Sequence, residues 1–246
     1  MGRALIGAMG GVLLMLASAT PASAQVVQSL HVSFGVFGPR GFESRSNGDV
    51  LVANLTRPEI LPGLTDSYIF EISDFKGANI LGEWQVGFGN HIELAAGVGY
   101  YANTVPSVYR DLVNDDGREI FQELRLRIVP ISGVVRFLPF GNASTVQPYA
   151  GAGIAALNWQ YSEIGAFVDP VTIDVFPARY KASGTDFGPL FLLGARFPIK
   201  GDIYGVTAEY RYQFGEGDLG GPESGFLGPK IDLSGWSLNF GFLVRF

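Results

Sequence analysis

The stretch "IYGVTAEYRYQF", residues 203–214, alternates between two kinds of side chain with a period of two. A period of two places successive side chains on opposite faces of a β-strand. The apolar and aromatic parity comprises Tyr204, Val206, Ala208, Tyr210, Tyr212 and Phe214, and the polar or small parity comprises Gly205, Thr207, Glu209, Arg211 and Gln213. The stretch therefore predicts a strand with one apolar face and one polar face.

The same alternation recurs seven more times along the chain. The other predicted strands cover residues 30–37, 80–88, 91–101, a segment that begins at 123, 146–161, 187–199 and 231–246. In the fourth strand the apolar parity changes near Pro130, which cannot donate a ladder hydrogen bond, so we expect a β-bulge there. The sequence thus predicts eight strands.

The connections between these strands alternate in length. Three are short, at 89–90, 139–145 and 200–202, and four are long, at 38–79, 102–118, 162–186 and 215–230. An even number of strands with short turns at one end and long loops at the other is typical of outer-membrane barrels. The predicted fold is all-β, an eight-stranded antiparallel up-and-down transmembrane β-barrel with short periplasmic turns and long extracellular loops.

The N-terminal segment has the three-part pattern of a secretory signal peptide. Arg3 precedes an apolar stretch, and Ala22-Ser23-Ala24 forms an A-x-A cleavage site before Gln25. We therefore expect residues 1–24 to be removed and residues 25–246 to form one barrel domain. The formal net charge of −6 gives no indication of a nucleic-acid partner.

The polar parity of the strands is predicted to face the lumen. An eight-stranded barrel has an interior just wide enough for side chains to fill, so the many large aromatic residues cannot all lie inside. Buried charges are costly unless they are paired, and the near-balanced signs predict an ion-pair network that fills the lumen. Its predicted members are Glu83, Glu93, Glu123, Arg125, Arg127, Arg136, Arg196, Glu209 and Arg211. The alternative is a narrow path for small solutes.

A water-soluble, lipocalin-like periplasmic barrel is the other fold that eight strands and a secretion signal allow. Such a barrel would bury its apolar face inside and link its strands with shorter loops. The two alternatives differ in which face of each strand meets the surroundings.

The last eight residues, "NFGFLVRF" (239–246), resemble the C-terminal assembly signal of bacterial outer-membrane proteins. Asn239, Gly241, Val244 and Phe246 match that pattern position by position. With the signal-like N-terminus and the strand layout, the chain resembles the small eight-stranded barrels of the OmpA, OmpX and OmpW kind. This resemblance implies a location in the bacterial outer membrane, with outer-membrane lipid and the barrel-assembly machinery as partners. It does not specify a function.

No stretch of the sequence predicts a catalytic, cofactor or metal site. The chain has two histidines, His31 and His91, and no cysteine, and both histidines are expected at the periplasmic end. Residues 97–102 and 151–156 fit G-x-G-x-x-A, but no helical pattern follows either of them. Residues 114–123 partly match a calcium loop whose first ligand would be Leu112, which cannot bind a cation.

The sequence therefore favours a structural or surface-binding barrel. The alternatives are a channel for small or apolar solutes and a lipid-modifying enzyme. The first long loop, residues 41–76, is too apolar to be freely solvated. We expect it to form either a site for an apolar ligand or surface partner, or a cap that packs on itself.

Deleting Phe246 tests whether the terminal stretch is an assembly signal. A residue at the rim contributes little to the finished barrel, whereas strand addition to a sheet edge would read its side chain. We expect the deletion to lower the amount assembled in cells far more than the stability of barrel refolded in detergent, and Phe246→Trp to be mild. Equal losses in the two measurements would show that the stretch is only a strand.

Overall fold

The computed structural model describes residues 26–199, 203–220 and 222–246. Eight long strands dominate it: β1 (Val27–Pro39), β5 (Gly77–Phe88), β6 (Ile92–Val113), β7 (Glu119–Phe137), β8 (Gln147–Val168), β9 (Val175–Ile199), β10 (Tyr204–Gln213) and β13 (Gly235–Arg245). Short strands lie between them: β2 (Glu59–Leu61), β3 (Leu64–Thr65), β4 (Tyr68–Ile69), β11 (Glu216–Asp218) and β12 (Lys230–Asp232). Helix α1 (Val50–Leu55) and three 3₁₀ turns (Phe42–Ser44, Ile72–Phe75 and Pro222–Ser224) complete the structure. Within the described ranges, no helix is long and apolar enough to cross a membrane.

The eight long strands form a closed antiparallel ring. Each strand pairs with its neighbours in chain order, β1 pairs with both β5 and β13, and β6 pairs with β7. Closure satisfies the backbone hydrogen bonds of every wall strand without leaving a free sheet edge inside a membrane. The predicted eight-stranded up-and-down barrel is confirmed.

An apolar belt covers the outside of the lower part of the ring, at the end of the short turns. Its exposed side chains include Leu30, Phe34, Phe88, Val98, Val135, Phe137, Ile154, Phe191, Leu193, Phe240 and Phe242. Each strand contributes a run of the length that a tilted transmembrane strand requires, about 9–11 residues. The polar parity of the same segments faces the lumen.

Above this belt the polarity of the two faces reverses. On β7, Leu124, Leu126 and Ile128 are buried inside the barrel, whereas Glu123 and Arg125 lie exposed on its outer face. The pairing of β7 with β8 keeps one register from Gln122 to Phe137, so the predicted bulge at Pro130 is wrong. The change of parity in the sequence marks a change of surroundings, because the outer face meets lipid below this level and water above it.

Two of the predicted long loops are mostly strand. Strand β6 continues to Val113 and β7 begins at Glu119, while β8 continues to Val168 and β9 begins at Val175. Only residues 114–118 and 169–174 remain as connections. The ladders continue beyond the apolar belt because their inner faces carry apolar side chains that pack against the first loop.

That first loop folds into the mouth of the barrel. Helix α1, strand β4 and the 3₁₀ turn Ile72–Phe75 place apolar side chains inside the ring, where Val50, Leu51 and Phe75 are fully buried. They pack against the upper halves of β6–β8 and against residues 219–233 in one apolar cluster. Residues 41–76 thus form a cap, which is one of the two arrangements expected from the sequence.

Two arginine substitutions on the outer face of β9 test where the apolar belt ends. Phe191 lies within the belt and Ser183 lies eight residues above it on the same face. Phe191→Arg should destabilise the barrel by about 2–4 kcal/mol in a lipid bilayer, because an arginine near the midplane faces hydrocarbon. Ser183→Arg is the matched control and should change the free energy of unfolding little. Similar losses for both variants in urea titrations would place the boundary elsewhere.

Candidate functional site: a charged lumen beneath a cap

A ring of four charged side chains crosses the lumen within the apolar belt. Arg136 Nη2 donates to Glu83 Oε2 at 2.6 Å and to Glu209 Oε2 at 2.9 Å. Arg211 bonds the other oxygens of the same two carboxylates. Strands β5, β7 and β10 thereby share one alternating ring of two arginines and two glutamates, and all four side chains are buried.

A second charged cluster lies nearer the periplasmic end. Arg196 on β9 holds Glu93 on β6 through two parallel hydrogen bonds, both 2.8 Å long. Its Nη2 also donates to Gln85 Oε1 at 3.0 Å. Bidentate arginine–carboxylate pairs are among the strongest hydrogen-bonded pairs in proteins, because the fork geometry matches both oxygens.

Tyr149 connects the two clusters. Its hydroxyl donates to Glu209 Oε2 at 2.9 Å. Its ring lies 5.1 Å from the Arg136 guanidinium carbon and 6.0 Å from that of Arg196. Both distances fit cation–π contacts, so the tyrosine fills the space between the arginines and faces both positive charges.

His31 is part of the first cluster and does not lie at the rim. Its Nδ1 is 3.2 Å from Glu83 Oε2 and its Nε2 is 2.7 Å from Thr207 Oγ1. Gly241 leaves the room that this ring needs, because a Cβ there would lie 2.3 Å from His31 Nε2. The glycine of the proposed assembly signal therefore has a packing role as well. His91 lies at the short turn that precedes β6 and bonds the carbonyl of Leu138.

The two clusters contain three arginines and three glutamates, so their formal charges cancel (3 − 3 = 0). Of the nine predicted members, the structure brings together these six: Glu83, Glu93, Arg136, Arg196, Glu209 and Arg211. The predicted inward orientation of Glu123, Arg125 and Arg127 is wrong. They belong to the part of β7 above the belt, where the outer face meets water.

A small cavity separates the polar half of the lumen from the apolar half. Its volume is about 40 Å³, enough for only a few water molecules. Asn79, Arg211 and Asn239 are among its polar lining residues, and Tyr101 and Ile128 are among its less polar ones. The charged clusters lie on the periplasmic side of this space and the cap lies on its extracellular side.

The cap is joined to the last long loop by a polar latch made of the buried residues Arg45, Asp49 and Asp232 and the half-buried Arg40. Arg45 bonds both carboxylate oxygens of Asp49, at 2.6 and 3.0 Å, and Arg40 donates twice to Asp232 Oδ2. The backbone N–H of Asp232 donates to Asp49 Oδ1 at 2.8 Å. Burial opposes ionisation of Asp232, but the bonds from Arg40 and the Ser234 N–H outweigh it and lower its pKa. Asp49 also caps the N-terminus of α1 through the Val52 N–H.

A second contact ties α1 to the barrel wall. Asn54 Nδ2 donates to Glu163 Oε1 at 2.7 Å, and the Tyr161 hydroxyl donates to the same oxygen at 2.9 Å. Burial raises the pKa of Glu163, and the bonds from Asn54 and Tyr161 together with the charge of Arg57 only partly oppose this shift. The Glu163 carboxyl group therefore holds the cap from a buried position that disfavours its ionised form.

The proposed assembly-signal residues occupy both faces of β13. Asn239 points inward, where its Oδ1 accepts a hydrogen bond from Asn79 Nδ2 at 2.8 Å. Phe246 points outward and is 73% exposed. The proposed cleavage residues Ala22, Ala24 and Gln25 lie outside the described residues.

Sequence reasoning missed the groups that hold the cap, which include Asn54, Glu163 and Asp232. Asn54 and Glu163 lie in segments that the sequence assigned to loops, and Asp232 lies at the start of the last predicted strand. Their partners are far away in sequence, 109 residues for Asn54 and 192 for Asp232. The apolar character of residues 41–76 was the only signal of a packed cap, and it did not identify these polar partners.

Comparisons with known proteins support the fold. No family model and no curated protein matches the chain. Among solved structures, the chain is similar to the outer membrane protein OprG from Pseudomonas aeruginosa, with a TM-score of 0.52 and 13% identity over 89% of this chain and 95% of that one. It also matches Neisserial surface protein A (TM-score 0.43, 14% identity, 92% and 100% covered) and a major outer membrane protein from Thermus thermophilus (TM-score 0.45, 14% identity, 90% and 99% covered).

The fold and the apolar belt define a transmembrane β-barrel of the bacterial outer-membrane type. The lipocalin-like alternative is wrong, because the aromatic parity of the lower strands faces outward and the charged parity faces inward. A water-soluble barrel would show the opposite arrangement.

A double-mutant cycle on Arg196 and Glu93 tests whether the second cluster is a tightly held ion pair. Arg196→Met leaves Glu93 charged and buried, and we expect it to cost about 3–5 kcal/mol of unfolding free energy. Adding Glu93→Gln should restore a large part of that loss, because no unpaired charge remains. The exposed pair Arg118–Asp116 is the control, and Arg118→Met should have little effect. Additive losses for Arg196 and Glu93 in urea titrations would show that the pair is not coupled.

Glu163→Gln tests the pH dependence of the cap. Since the folded pKa of Glu163 lies above its unfolded value, its favourable contribution is fully present below the unfolded pKa and is lost as pH rises through the folded pKa. We expect the variant to protect residues 41–76 from proteolysis better than the wild type at pH 8 and equally at pH 4. The exposed Glu119→Gln serves as the control. A looser cap in Glu163→Gln at pH 8 would contradict the assignment.

Proposed function

We propose that this protein is an integral outer-membrane barrel with a structural or surface-binding role and no catalytic chemistry of its own. The observation that carries this proposal is the double seal of the lumen. Paired arginines and glutamates fill the lumen within the membrane, and the cap fills it above. Such a barrel is better suited to holding an extracellular binding surface in the membrane than to conducting solutes.

The strand extensions support a role at the cell surface. Above the belt, β8 runs on from Leu157 to Val168, which corresponds to roughly 40 Å of strand. Its hairpin with β9 ends at residues 169–174, where the Val171 side chain is 88% exposed. The hairpin is paired along its whole length, so it offers a rigid surface to a partner.

The positions of the histidines support the absence of catalysis in this proposal. His31 is enclosed by Glu83 and Thr207, and His91 lies at a short turn with its Nδ1 on a backbone carbonyl. A nucleophile and base need access to a substrate as well as to each other. Within the described ranges, no group of three His, Asp or Glu side chains is arranged to hold a metal ion.

The barrel-assembly machinery belongs to this proposal as the partner that inserts the protein. Strand β13 closes the ring by pairing with β1 and β10 over its whole length. A strand that pairs on both edges in the finished barrel offers those edges for recognition by strand addition before the ring closes.

Recording from planar bilayers tests the closed lumen. We expect the wild-type protein to give no conductance steps, and the variant with residues 41–76 deleted to remain silent because the charged clusters still fill the lower lumen. The Arg136→Ala/Arg196→Ala double variant is the positive comparison, since it removes one large buried side chain from each of the two charged clusters. Steps from the wild type would overturn the proposal and favour a channel.

A path for small apolar solutes is the second candidate function, and one feature favours it. A recess of about 400 Å³ lies in the wall where β10 ends. Phe187, Pro189 and Phe214 form its apolar side, and the charged residues Arg40, Asp186 and Glu216 line the rest. It lies at the top of the apolar belt, so an apolar molecule could reach it from the outer leaflet. Uptake of a fluorescent apolar probe into liposomes that exceeded protein-free controls, and fell when the exposed lining residue was changed by Pro189→Trp, would support this candidate.

A further inference from the structure

Four basic side chains lie together on the outer face of β7 and β9, directly above the apolar belt. Arg125 and Lys181 share one register row through Ser162 of the intervening strand β8, because Arg125 pairs with Ser162 and Ser162 pairs with Lys181. Arg127 lies two residues along β7 from Arg125, toward the belt. Arg179 lies two residues along β9 from Lys181, away from the belt. We call Arg125, Arg127, Arg179 and Lys181 the basic patch.

The basic patch is not neutralised by the protein. None of its four side chains takes part in an ion pair among the described residues, and the buried Nε of Arg127 has no hydrogen-bond acceptor there. Among the described outer-face residues of β7, β8 and β9, Glu123 is the one acidic side chain between the belt and the level of Arg179. The patch therefore carries a local charge of +3 (4 − 1) on a chain whose formal net charge is −6.

The patch rises from the top of the apolar belt, where a membrane has its headgroup layer, and Arg127 lies nearest the belt. Below Arg127 the outer face of β7 continues with Val129, Ile131 and Val135, and below Lys181 that of β9 continues through Ser183 and Thr185 to Phe187. Arg127 lies about 13 Å of strand from Ile131. Long basic side chains at such a level reach anionic headgroups while their stems cover apolar surface.

The spacing of the patch suits phosphate groups on a rigid headgroup. Arg125 and Lys181 lie two strands apart, about 10 Å between their backbones, so their long side chains can converge on one phosphate. Arg127 lies diagonally below them and can bind a second phosphate. Guanidinium groups bind phosphate through paired hydrogen bonds, which favours phosphate over a diffuse negative surface.

We propose that the basic patch binds the phosphorylated sugar headgroup of the outer-leaflet glycolipid, lipid A. This adds a lipid partner to the proposed binding role, and it rests on the membrane location of the barrel and not on a closed lumen. A conducting wild-type barrel would overturn the proposed function while leaving this proposal intact.

The test is a titration of the mature barrel, refolded in detergent micelles, with bisphosphorylated lipid A and with the same lipid after removal of both phosphates. Native mass spectrometry gives the bound fraction. The patch variant is Arg125→Ser/Arg127→Ser/Lys181→Ser. The control variant, Lys76→Ser/Arg118→Ser/Lys230→Ser, removes the same charge from exposed positions elsewhere. The faster migration of unheated barrel on SDS gels verifies the fold of each variant.

We expect the wild type and the control variant to bind the bisphosphorylated lipid at least about tenfold more tightly than the dephosphorylated one, and the patch variant to lose this preference. For the wild type, a higher salt concentration should also reduce the preference for the bisphosphorylated lipid, because salt screens exposed charges. This measurement needs no variant and tests the proposal even if a variant misfolds. Equal binding of both lipids by the wild type, an unchanged patch variant, or an equal loss in the control variant would overturn the proposal. Equal competition by a soluble sulfated polysaccharide would do so as well, since it would indicate a general polyanion surface.

Discussion

The closed hydrogen-bonded ladder is the constraint on which the rest of the structure depends. In hydrocarbon every backbone group needs a protein partner, so the strands must close into a ring, and the pleat then fixes which side chain points inward. Since β7 and β8 keep one register from the belt to beyond it, the wall cannot correct its faces with a bulge. Where the surroundings change from lipid to water, the backbone register stays the same. The sequence instead places polar side chains on the outer face and apolar side chains on the inner face.

The two halves of the interior follow from this exchange. Within the belt the apolar side chains face the lipid, so polar side chains occupy the lumen. Gly97 leaves space there for Glu83, and Gly241 leaves space for His31. Above the belt the outer face must be polar, which frees the apolar side chains to form an ordinary hydrophobic core with α1. The extracellular part is thus stabilised like a soluble domain, while the membrane part is stabilised by its ladder and by paired charges.

The sequence predicts the membrane half better than the extracellular half. The two faces of strand β10 could be predicted from its sequence, because its outer face is apolar and its inner face is polar along the whole strand. Strand β7 could not, because a reversal of hydropathy at Pro130 looks the same in sequence whether the backbone bulges or the surroundings change. Inward charges on β5 and β10 followed from the pattern, whereas the pairing of Asn54 with Glu163 depends on a fold of the first loop that no local period encodes.

The separation of the two seals also limits what the lumen can do. The charged clusters join β5, β6, β7, β9 and β10, so they are fixed by the wall itself, while the cap is held by Asp232 and Glu163 in the part that water surrounds. Loosening the cap leaves the lower seal intact, because no described hydrogen bond joins α1 to the ring of Arg136 and Glu209. A change in the extracellular part can therefore alter the exposed surface while the charged clusters of the lower lumen stay in place.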